Sequence, residues 1–401
     1  MNSEPLHAFF ASTTPGLEIL LEQELATLGY KARRELGGAF LKGRWRDLYR
    51  VALSLRTASH LLVRIKGGKA TSFPELETLL GNLPWELWLQ RPSQFRVDAS
   101  CRSSALYHEG AVEERVSNWI TRRTQAEPAP WGTEPDQRFI LRIVHDTVEL
   151  SVDASGTPLH RRGYRLATAK APLRENLAAA LLYASGWVPS VEEGVGRGAA
   201  VRYKAPKSPL VDPFCGSGTI PIEAALLARR IPPALATTDR QPRHFACQDW
   251  QDFEAEAWNK TVASLQAHIL PESPILISGS DRDEGAIHAA KANALRAGVE
   301  VSWEQNAFSN VVWKPGDFVV TNPPYGHRIS EASDLRNLFA AFGKKISRDK
   351  VNAVWLDGTE HGEGLAGVHP QELLKTKNGG LPIRFLKYPR TEWNSEIRAG
   401  T

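Results

Sequence analysis

The chain has 401 residues, of which 42% are hydrophobic and 23% charged, and its formal net charge is +4. This composition is typical of a globular protein, and the length exceeds one ordinary core, so we expect two or three domains. No stretch approaches the ~20 apolar residues of a membrane span, no secretion signal is recognisable, and the three cysteines form no CxxC pair, so we expect a cytoplasmic protein without a disulfide framework or a metal site.

Short strands and helices alternate along the first 100 residues. Strands are predicted at 6–12, 39–44, 60–66 and 94–99, and helices at 46–58 and 72–81. Another helix is predicted between the first two strands, because Thr14 can cap it, Pro15 can begin it and a leucine stripe runs to Gly29. Alternation of such short elements is typical of small α+β modules.

Polar and basic residues between positions 100 and 165 suggest a nucleic-acid surface. Ser104, Tyr107 and His108 lie in a predicted loop before a helix, where helix capping and packing are at least as good an explanation as RNA contact. Further along are three arginines whose guanidinium groups suit phosphate oxygens, although a solvated linker would explain them equally well: Arg161, Arg162 and Arg165. The positive charge excess of the chain lies within residues 1–170, which weakly favours nucleic acid as a partner.

The loop VDPFCGSGTI at 211–220 joins a predicted strand to a predicted helix. Gly216 and Gly218 allow a sharp turn and a close approach of a ligand, and the helix presents free N–H groups to it. No lysine follows as in a phosphate-binding P-loop, and Pro221 stands where a dinucleotide fingerprint has its third glycine. On this motif alone, a small-molecule loop and a purely structural turn both remain open.

Two more predicted strands end in polar residues. The strand at 275–281 ends at Asp281, whose carboxylate can accept hydrogen bonds from both hydroxyls of a ribose. Residues 317–325 read DFVVTNPPY, an apolar strand that ends in Asn-Pro-Pro-Tyr. Because ligands of open α/β sheets bind outside the carboxyl ends of the strands, the three ends predict one shared pocket.

The remaining segments extend this sheet. Helices are predicted at 173–185, 285–297 and 334–346, and strands at 299–303 and 351–356. The proline-rich segment 231–274 contains Trp250, Phe253 and Trp258, which favour a packed cap near the mouth of the pocket. Apolar runs on both sides of Asn378-Gly379-Gly380 predict a C-terminal antiparallel hairpin.

These motifs resemble a known family. DPFCGSGT, GSDRD and NPPYG, in this order, are similar to the strand-end motifs of class I methyltransferases that use S-adenosylmethionine (SAM) and methylate exocyclic amines. Residues 95–155 resemble the THUMP module, which binds structured RNA, and HRRGYRLATAKAPLRENLAAALL at 160–182 resembles the entry segment of THUMP-domain RNA methyltransferases. HFACQDWQDFEAEAWN at 244–259 resembles a segment of the RlmL-type large-subunit rRNA guanine-N2 methyltransferases.

The resemblance implies a fold and a division into domains. The fold is α/β, with a C-terminal Rossmann-like class I methyltransferase sheet that ends in an antiparallel hairpin, and an N-terminal α+β ferredoxin-like/THUMP module. The implied domains are a ferredoxin-like region at 1–60, a THUMP RNA-binding domain at 61–158 and a SAM-dependent methyltransferase domain at 159–401.

The resemblance also implies SAM as the cofactor. The implied SAM-binding residues are Asp212, Pro213, Phe214, Gly216, Gly218, Thr219, Asp281, Arg282, Asn306, Ala307 and Asn322. Asn306 departs from the Asp common in relatives, but its amide oxygen can still accept the amino proton of adenine. His327 departs from the acidic residue usual in RlmL-type relatives, and we assign it no role.

The implied catalytic residues are Asn322, Pro323, Pro324 and Tyr325. An exocyclic amine is a poor nucleophile because its lone pair is delocalised into the base. If Asn322 Oδ1 and the Pro323 carbonyl accept its two N–H bonds, the nitrogen becomes more tetrahedral and its lone pair points at the methyl group. The prolines stiffen the loop, and Tyr325 can stack on the base.

The expected reaction is methyl transfer from SAM to the N2 amine of a guanine in 23S rRNA, by a monomer. Arg161, Arg162, Arg165 and Tyr325 are the candidate RNA contacts. Alternatives within the class are guanine-N2 methylation of tRNA and adenine-N6 methylation. A catalytically silent RNA-binding protein is the alternative from another class, but it would not need Asn322 together with Tyr325.

Overall fold

The computed structural model describes residues 5–90, 93–166, 173–188, 206–324, 332–359 and 370–388. Within these residues the chain forms two sheets, one of eight strands between residues 7 and 153 and one of seven strands between residues 210 and 388. Across the same residues, every helix is too short or too polar to span a bilayer.

The first sheet is continuous across the N-terminal modules. Its strands are β1 (His7–Ser12), β2 (Ala32–Glu35), β3 (Gly38–Gly43), β4 (His60–Lys69), β5 (Gln94–Arg102), β6 (Glu127–Pro128), β7 (Gln137–Val144) and β8 (Thr147–Asp153). The spatial order is β2-β3-β1-β4-β8-β7-β5-β6, and β4 pairs antiparallel with β1 on one side and β8 on the other. The domain boundary expected after residue 60 therefore falls at the start of the strand that joins the two halves.

Four helices accompany this sheet: α1 (Glu18–Thr27), α2 (Trp45–Ser54), α3 (Phe73–Leu80) and α4 (Glu109–Thr124). The leucine stripe predicted for α1 is buried. The helix predicted at 46–58 is shorter in the structure, because α2 ends at Ser54 and the next residue is extended. The backbone N–H groups of Arg56 and Thr57 donate instead to the buried carboxylate of Glu24, at 2.7 and 3.0 Å. A partner distant in sequence thus ends the helix early.

The second sheet has the predicted parallel core and C-terminal hairpin. Its strands are β9 (Leu210–Asp212), β10 (Ile277–Asp281), β11 (Ser302–Gln305), β12 (Phe318–Thr321), β13 (Asn352–Asp357), β14 (Gln371–Asn378) and β15 (Leu381–Tyr388). The order is β11-β10-β9-β12-β13-β15-β14, with the first five strands parallel and the last two antiparallel. Gly379 and Gly380, both with positive φ, form the turn between β14 and β15, so the predicted hairpin is confirmed.

The helices of this half are α5 (Glu175–Ser185), α6 (Thr219–Ala228), α7 (Ala255–Gln266), α8 (Glu284–Ala297) and α9 (Ala332–Asp349). The strand order reverses beside β9, because the chain runs outward to β10 and β11 and then returns to β12 on the other side. Ligands of open α/β sheets bind at such a switch point. The glycine-rich loop follows β9, so the topology places it where a ligand is expected.

The aromatic insert is packed, but not where the sequence predicted. Trp250 Nε1 donates to Gln137 Oε1 on β7 at 2.8 Å. The rings of Phe253 and Trp258 lie 5.4 and 5.5 Å from the ring of Tyr49 on α2. The insert therefore fastens the second half of the chain to the first, which corrects the expectation of a cap at the pocket mouth.

Candidate active site

The carboxyl ends of neighbouring strands of the second sheet are tied together by hydrogen bonds between their loops. The backbone N–H of Cys215, after β9, donates to the carbonyl of Ser280 on β10 at 3.0 Å. The N–H of Asn306, after β11, donates to the carbonyl of Asp281 at 3.0 Å. The loops that carry the predicted cofactor residues therefore form one connected wall.

Asp212 links β9 to β12. Its carboxylate is buried and accepts from the Thr321 hydroxyl at 2.6 Å and from the Phe214 N–H at 3.1 Å. Burial raises the pKa of Asp212 to about 7, against the effect of these two hydrogen bonds, and the nearby carboxylate of Asp281 raises it further. Asp212 thus positions the strand ends. The sequence analysis missed Thr321, because nothing local to DFVVTNPPY reveals a partner 109 positions away.

The two glycines of the loop have different neighbours. Gly218 has φ of +86°, and a Cβ there would lie 2.7 Å from the ring of Trp303 and 3.0 Å from Ala290. Gly216 has φ of +52°, and a Cβ there would meet no atom within 4 Å. Gly218 is therefore required by packing within the protein, whereas Gly216 borders open space next to the beginning of α6.

Asp281 retains the capacity to bind a diol. Its Oδ2 accepts from the N–H of Gly216 and its Oδ1 from the N–H of Asp283, both at 3.0 Å. A carboxylate offers about four acceptor positions, so about one remains on each oxygen. Asn306 is compatible with an adenine amino group, because its side-chain NH₂ donates to Glu304 at 3.1 Å and its Oδ1 is left as the acceptor.

The other predicted cofactor residues lie on the same loops. Pro213 is buried, as is Thr219 in the first turn of α6. The Phe214 ring stacks on Phe308 with the ring centroids 5.1 Å apart. Ala307 is half-buried, and Arg282 is exposed. These residues are brought together at one edge of the sheet, and their contact with a cofactor stays a prediction.

Asn322 follows β12 directly and carries the feature that most clearly points to a ligand. Its Oδ1 is buried and accepts no hydrogen bond from the residues that the structure describes. Buried polar atoms are nearly always paired, so an unpaired acceptor beside a ligand loop is suited to a donor from outside the chain. Pro323 is buried and Pro324 half-buried. Tyr325 and His327 lie outside the described residues.

The structure gives Arg162 a different role from the predicted one. The side chain is 4% exposed, and its guanidinium donates to the carbonyls of Leu159 and Arg56. Its Nε lies 3.6 Å from the buried carboxylate of Glu223 on α6. Arg162 therefore joins α6 to the N-terminal half and is not available to a phosphate, which corrects the prediction of an RNA contact.

Arg165 is also occupied by the protein. Its guanidinium donates to the Leu173 carbonyl and to Glu175 Oε2, both at 3.1 Å. Arg161 differs, because its side chain is 59% exposed and lies 3.4 Å from the exposed Glu134. Of the three arginines, Arg161 alone has the exposure that an RNA contact requires.

The polar loop before α4 is mainly structural. His108 Nδ1 accepts from the N–H of Ala111 at 3.1 Å, so His108 caps the helix. Ser104 Oγ donates to the carbonyl of Arg102 at 2.9 Å. Tyr107 is 78% exposed, so its contact with RNA stays a prediction.

Three family profiles match successive parts of the chain. They are the RlmL ferredoxin-like domain at residues 8–62, the THUMP domain at 70–153 and the RMKL-like methyltransferase domain at 202–360. The Ribosomal RNA large subunit methyltransferase K/L of Syntrophotalea carbinolica is 34% identical over 402 residues, which cover 96% of this chain and 54% of that protein. The chain thus spans about half the length of the curated relatives it matches.

Two solved structures match over nearly the whole chain. A predicted N6-adenine-specific DNA methylase from Listeria monocytogenes is 29% identical, with a TM-score of 0.79 and 96% of both chains covered. SMU.472 in complex with S-adenosylhomocysteine (SAH) is 24% identical, with a TM-score of 0.79 and coverage of 97% of this chain and 99% of that one, which shows a shared fold. The predicted fold is confirmed: a Rossmann-like class I methyltransferase sheet with a terminal hairpin follows an N-terminal ferredoxin-like/THUMP module.

Proposed function

Because the chain belongs to the family of methyltransferases that combine an RlmL ferredoxin-like domain, a THUMP domain and an RMKL-like methyltransferase domain, we propose that it transfers a methyl group from SAM to the N2 amine of a guanine in 23S rRNA. The names of the curated relatives support ribosomal RNA as the substrate class. The SAH complex of a protein with this fold makes SAM the first donor to test. The observation that carries the proposal is the buried Oδ1 of Asn322, which accepts no hydrogen bond within the described ranges.

SAM supplies, when bound, a methyl group made electrophilic by its sulfonium. The Asp281 carboxylate accepts from the two ribose hydroxyls with its remaining acceptor positions. Asn306 Oδ1 accepts from the adenine amino group, and the open side of Gly216 leaves room beside the loop. Asp212 and Gly218 act indirectly, since they fix the strand ends. The rest of the proposed SAM site consists of Pro213, Phe214, Thr219, Arg282 and Ala307, and Asn322 borders this site from the amine side without contributing much to SAM affinity.

The amine is activated by hydrogen-bond acceptors. Asn322 Oδ1 accepts one N–H of the guanine amine and the Pro323 carbonyl accepts the other, which localises the nitrogen lone pair for in-line attack. Pro323 and Pro324 restrict the backbone, so little reorganisation is needed. Tyr325 stacks on the base. No strong general base is required before attack, because the methylated nitrogen releases its proton readily afterwards.

The N-terminal modules deliver the RNA. We assign residues 1–60 to a ferredoxin-like region, 61–158 to a THUMP RNA-binding domain and 159–401 to the methyltransferase domain. Arg161 contacts the RNA backbone, since it is the exposed member of its cluster. The protein acts as a monomer in the cytoplasm, where ribosomal RNA is modified.

The experiment is methyl transfer from labelled SAM to 23S rRNA and to tRNA transcripts, followed by digestion to nucleosides. We expect N2-methylguanosine from 23S rRNA, a loss of product with Asn322→Ala and no loss with Asn259→Ala, a matched change at an exposed position of α7. If only the tRNA transcripts yield N2-methylguanosine, tRNA replaces 23S rRNA as the proposed substrate. Absence of both SAM binding and product would favour a silent RNA-binding protein.

Adenine-N6 methylation is the second candidate, favoured by the description of the Listeria monocytogenes structure as an N6-adenine-specific DNA methylase. Both amines are exocyclic and conjugated, so the Asn-Pro-Pro geometry serves either. N6-methyladenosine in the same digest would establish this alternative and overturn the guanine assignment.

A further inference from the structure

The glycine loop of the proposed SAM site is held at its middle residue, Ser217, by a side chain of α8. Gly216 and Gly218 on either side both have positive φ, and glycine rotates about its backbone bonds at little cost. The chain therefore has to fix Ser217 by other means. Its side chain does not do so, because Ser217 Oγ is buried and makes no hydrogen bond with the described residues. Its carbonyl does, since it accepts from the side-chain NH₂ of Asn293 at 3.0 Å.

Asn293 is itself held in a fixed orientation. It is fully buried, and its Oδ1 accepts from Arg296 Nη2 at 2.5 Å. This contact turns the oxygen of the carboxamide toward Arg296 and leaves the NH₂ to face the loop. The Nε of Arg296 donates in turn to the backbone carbonyl of Tyr164 at 2.8 Å. Two side chains of α8 thus connect the glycine loop to the segment 159–166, which lies between β8 and α5.

Tyr164 is also anchored to the helix that follows the loop. The residue is buried, and its hydroxyl donates to Glu223 Oε1 on α6 at 3.0 Å. Helix α6 begins directly after the loop, at Thr219. Tyr164 therefore fixes α6 through its hydroxyl and α8 through its carbonyl, so both supports of the loop refer to one residue. Three positions before it lies Arg161, the exposed arginine proposed to contact RNA.

We propose that Asn293 and Arg296 are positioning residues for SAM binding. They hold the Ser217 carbonyl in place, so the loop already has its binding conformation when SAM arrives. A loop that becomes ordered only on binding costs affinity, and preorganisation removes that cost. The two side chains act through the backbone of the loop, because Asn293 is fully buried and Arg296 is directed toward Tyr164. The inference rests on the proposed assignment of this loop to SAM.

The test is calorimetric titration of the full chain with SAM, with the free energy of unfolding measured for each variant. We expect Asn293→Ala to weaken SAM binding about tenfold and Arg296→Ala about fivefold, because the loop then has to be ordered when SAM binds. The double variant should lose about tenfold in all, since Arg296 acts only through Asn293 and the two effects are therefore not additive. Lys291→Ala removes an exposed basic side chain from the same helix and is the matched control, with an expected change of less than twofold.

Steady-state methyl transfer separates positioning from a general loss of structure. The KM for SAM should rise with the loss of affinity in Asn293→Ala and Arg296→Ala, whereas kcat at saturating SAM should stay within about twofold of the unaltered chain. A lower free energy of unfolding with unchanged SAM affinity and unchanged KM would overturn the proposal, because it would show that the two residues only stabilise α8.

Two further outcomes would overturn the proposal: independent effects in the double variant, or an equal loss of affinity with Lys291→Ala. If Asn293→Ala does not fold, Arg296→Ala decides, because Arg296 is only half-buried and its removal leaves Asn293 in place. Gly216→Ala distinguishes this failure from a failure of the loop assignment. Weaker SAM binding with Gly216→Ala alone would keep the loop as the SAM site and remove only the positioning role. Unchanged binding in all three variants would remove both. The titration contains no RNA, so the proposed guanine substrate is not at issue in it.

Discussion

The two sides of the strand-end pocket differ in how far the chain itself satisfies their polar groups. On the proposed cofactor side, Asp212 and Asp281 each accept two hydrogen bonds, one from a neighbouring strand or loop and one from their own loop. On the proposed amine side, Asn322 Oδ1 accepts none from the described part of the chain. The first side is therefore organised by folding, whereas the second is completed only when a substrate donates to it. Substitutions should accordingly affect stability on the first side and turnover on the second.

Asn322→Ala should have the largest effect and should fall on turnover alone. We expect kcat to drop about 10³-fold, the order found when a preorganised transition-state contact is removed, with SAM affinity changed less than twofold. Single-turnover kinetics and calorimetry measure the two quantities. Equal losses in kcat and in SAM affinity would show that Asn322 belongs to the cofactor side. The difference between the two sides of the pocket would then no longer hold.

Asp212→Asn should alter the pH dependence of stability. In the unfolded chain the Asp212 carboxyl loses its proton near pH 3.8. In the native protein its pKa is raised to about 7, so it keeps the proton to a higher pH. The native protein therefore binds the extra proton between these values, and the free energy of unfolding of the unaltered chain falls as the pH rises, by about 4 kcal/mol in all. Urea unfolding of the unaltered chain at pH 4 to 8 should show this decrease in the free energy of unfolding. The Asp212→Asn variant should lack it. If the free energy of unfolding depends on pH in the same way in both proteins, Asp212 is not the group responsible.

Gly218→Ala and Gly216→Ala form a matched pair within the loop. The first should lower the free energy of unfolding by about 3 kcal/mol, because backbone strain adds to the clash with Trp303. The second should cost only about 1 kcal/mol, since its Cβ meets no protein atom, yet it should weaken SAM binding. Chemical unfolding and calorimetry test both. Equal destabilisation by the two changes would mean that Gly216 also serves packing.

Asp281→Asn should have the smallest effect. The amide NH₂ cannot accept, so one of the two loop hydrogen bonds and one hydrogen bond to the ribose are lost, and SAM affinity should fall about tenfold. The same titration with Asp283→Asn is the control, because Asp283 caps α8 through its own side chain. Unchanged affinity for Asp281→Asn would remove Asp281 from the proposed cofactor site.

Features coded by local pattern could be predicted from the sequence. The apolar strands with polar ends, the glycine loop and the hairpin at Gly379 and Gly380 each depend on residues close together in the chain. Such patterns indicate which strand ends meet, because parallel strands share an edge.

Features that depend on distant partners could not be predicted. The cluster at Arg161 to Arg165 has the composition of a phosphate site, but the buried carboxylate that pairs with Arg162 belongs to Glu223, 61 positions further along the chain. The insert around Trp250 shows by its aromatic residues that it packs, yet not against which surface. Burial of charge is decided by tertiary contacts, and a single sequence does not contain them.

The insert around Trp250 also fixes the position of the methyltransferase sheet relative to the N-terminal half of the chain. Its backbone donates from Cys247 to the Ala154 carbonyl at 3.1 Å and from Gln251 to the Leu87 carbonyl at 2.9 Å, both in the N-terminal half. Bonds of this kind oppose hinging, so they hold the N-terminal modules at a fixed distance from the Asn-Pro-Pro loop. On the proposed function, an RNA stem lengthened by a base pair or two would still bind the N-terminal modules, but its target base would reach the Asn-Pro-Pro loop at the wrong distance and the wrong rotation.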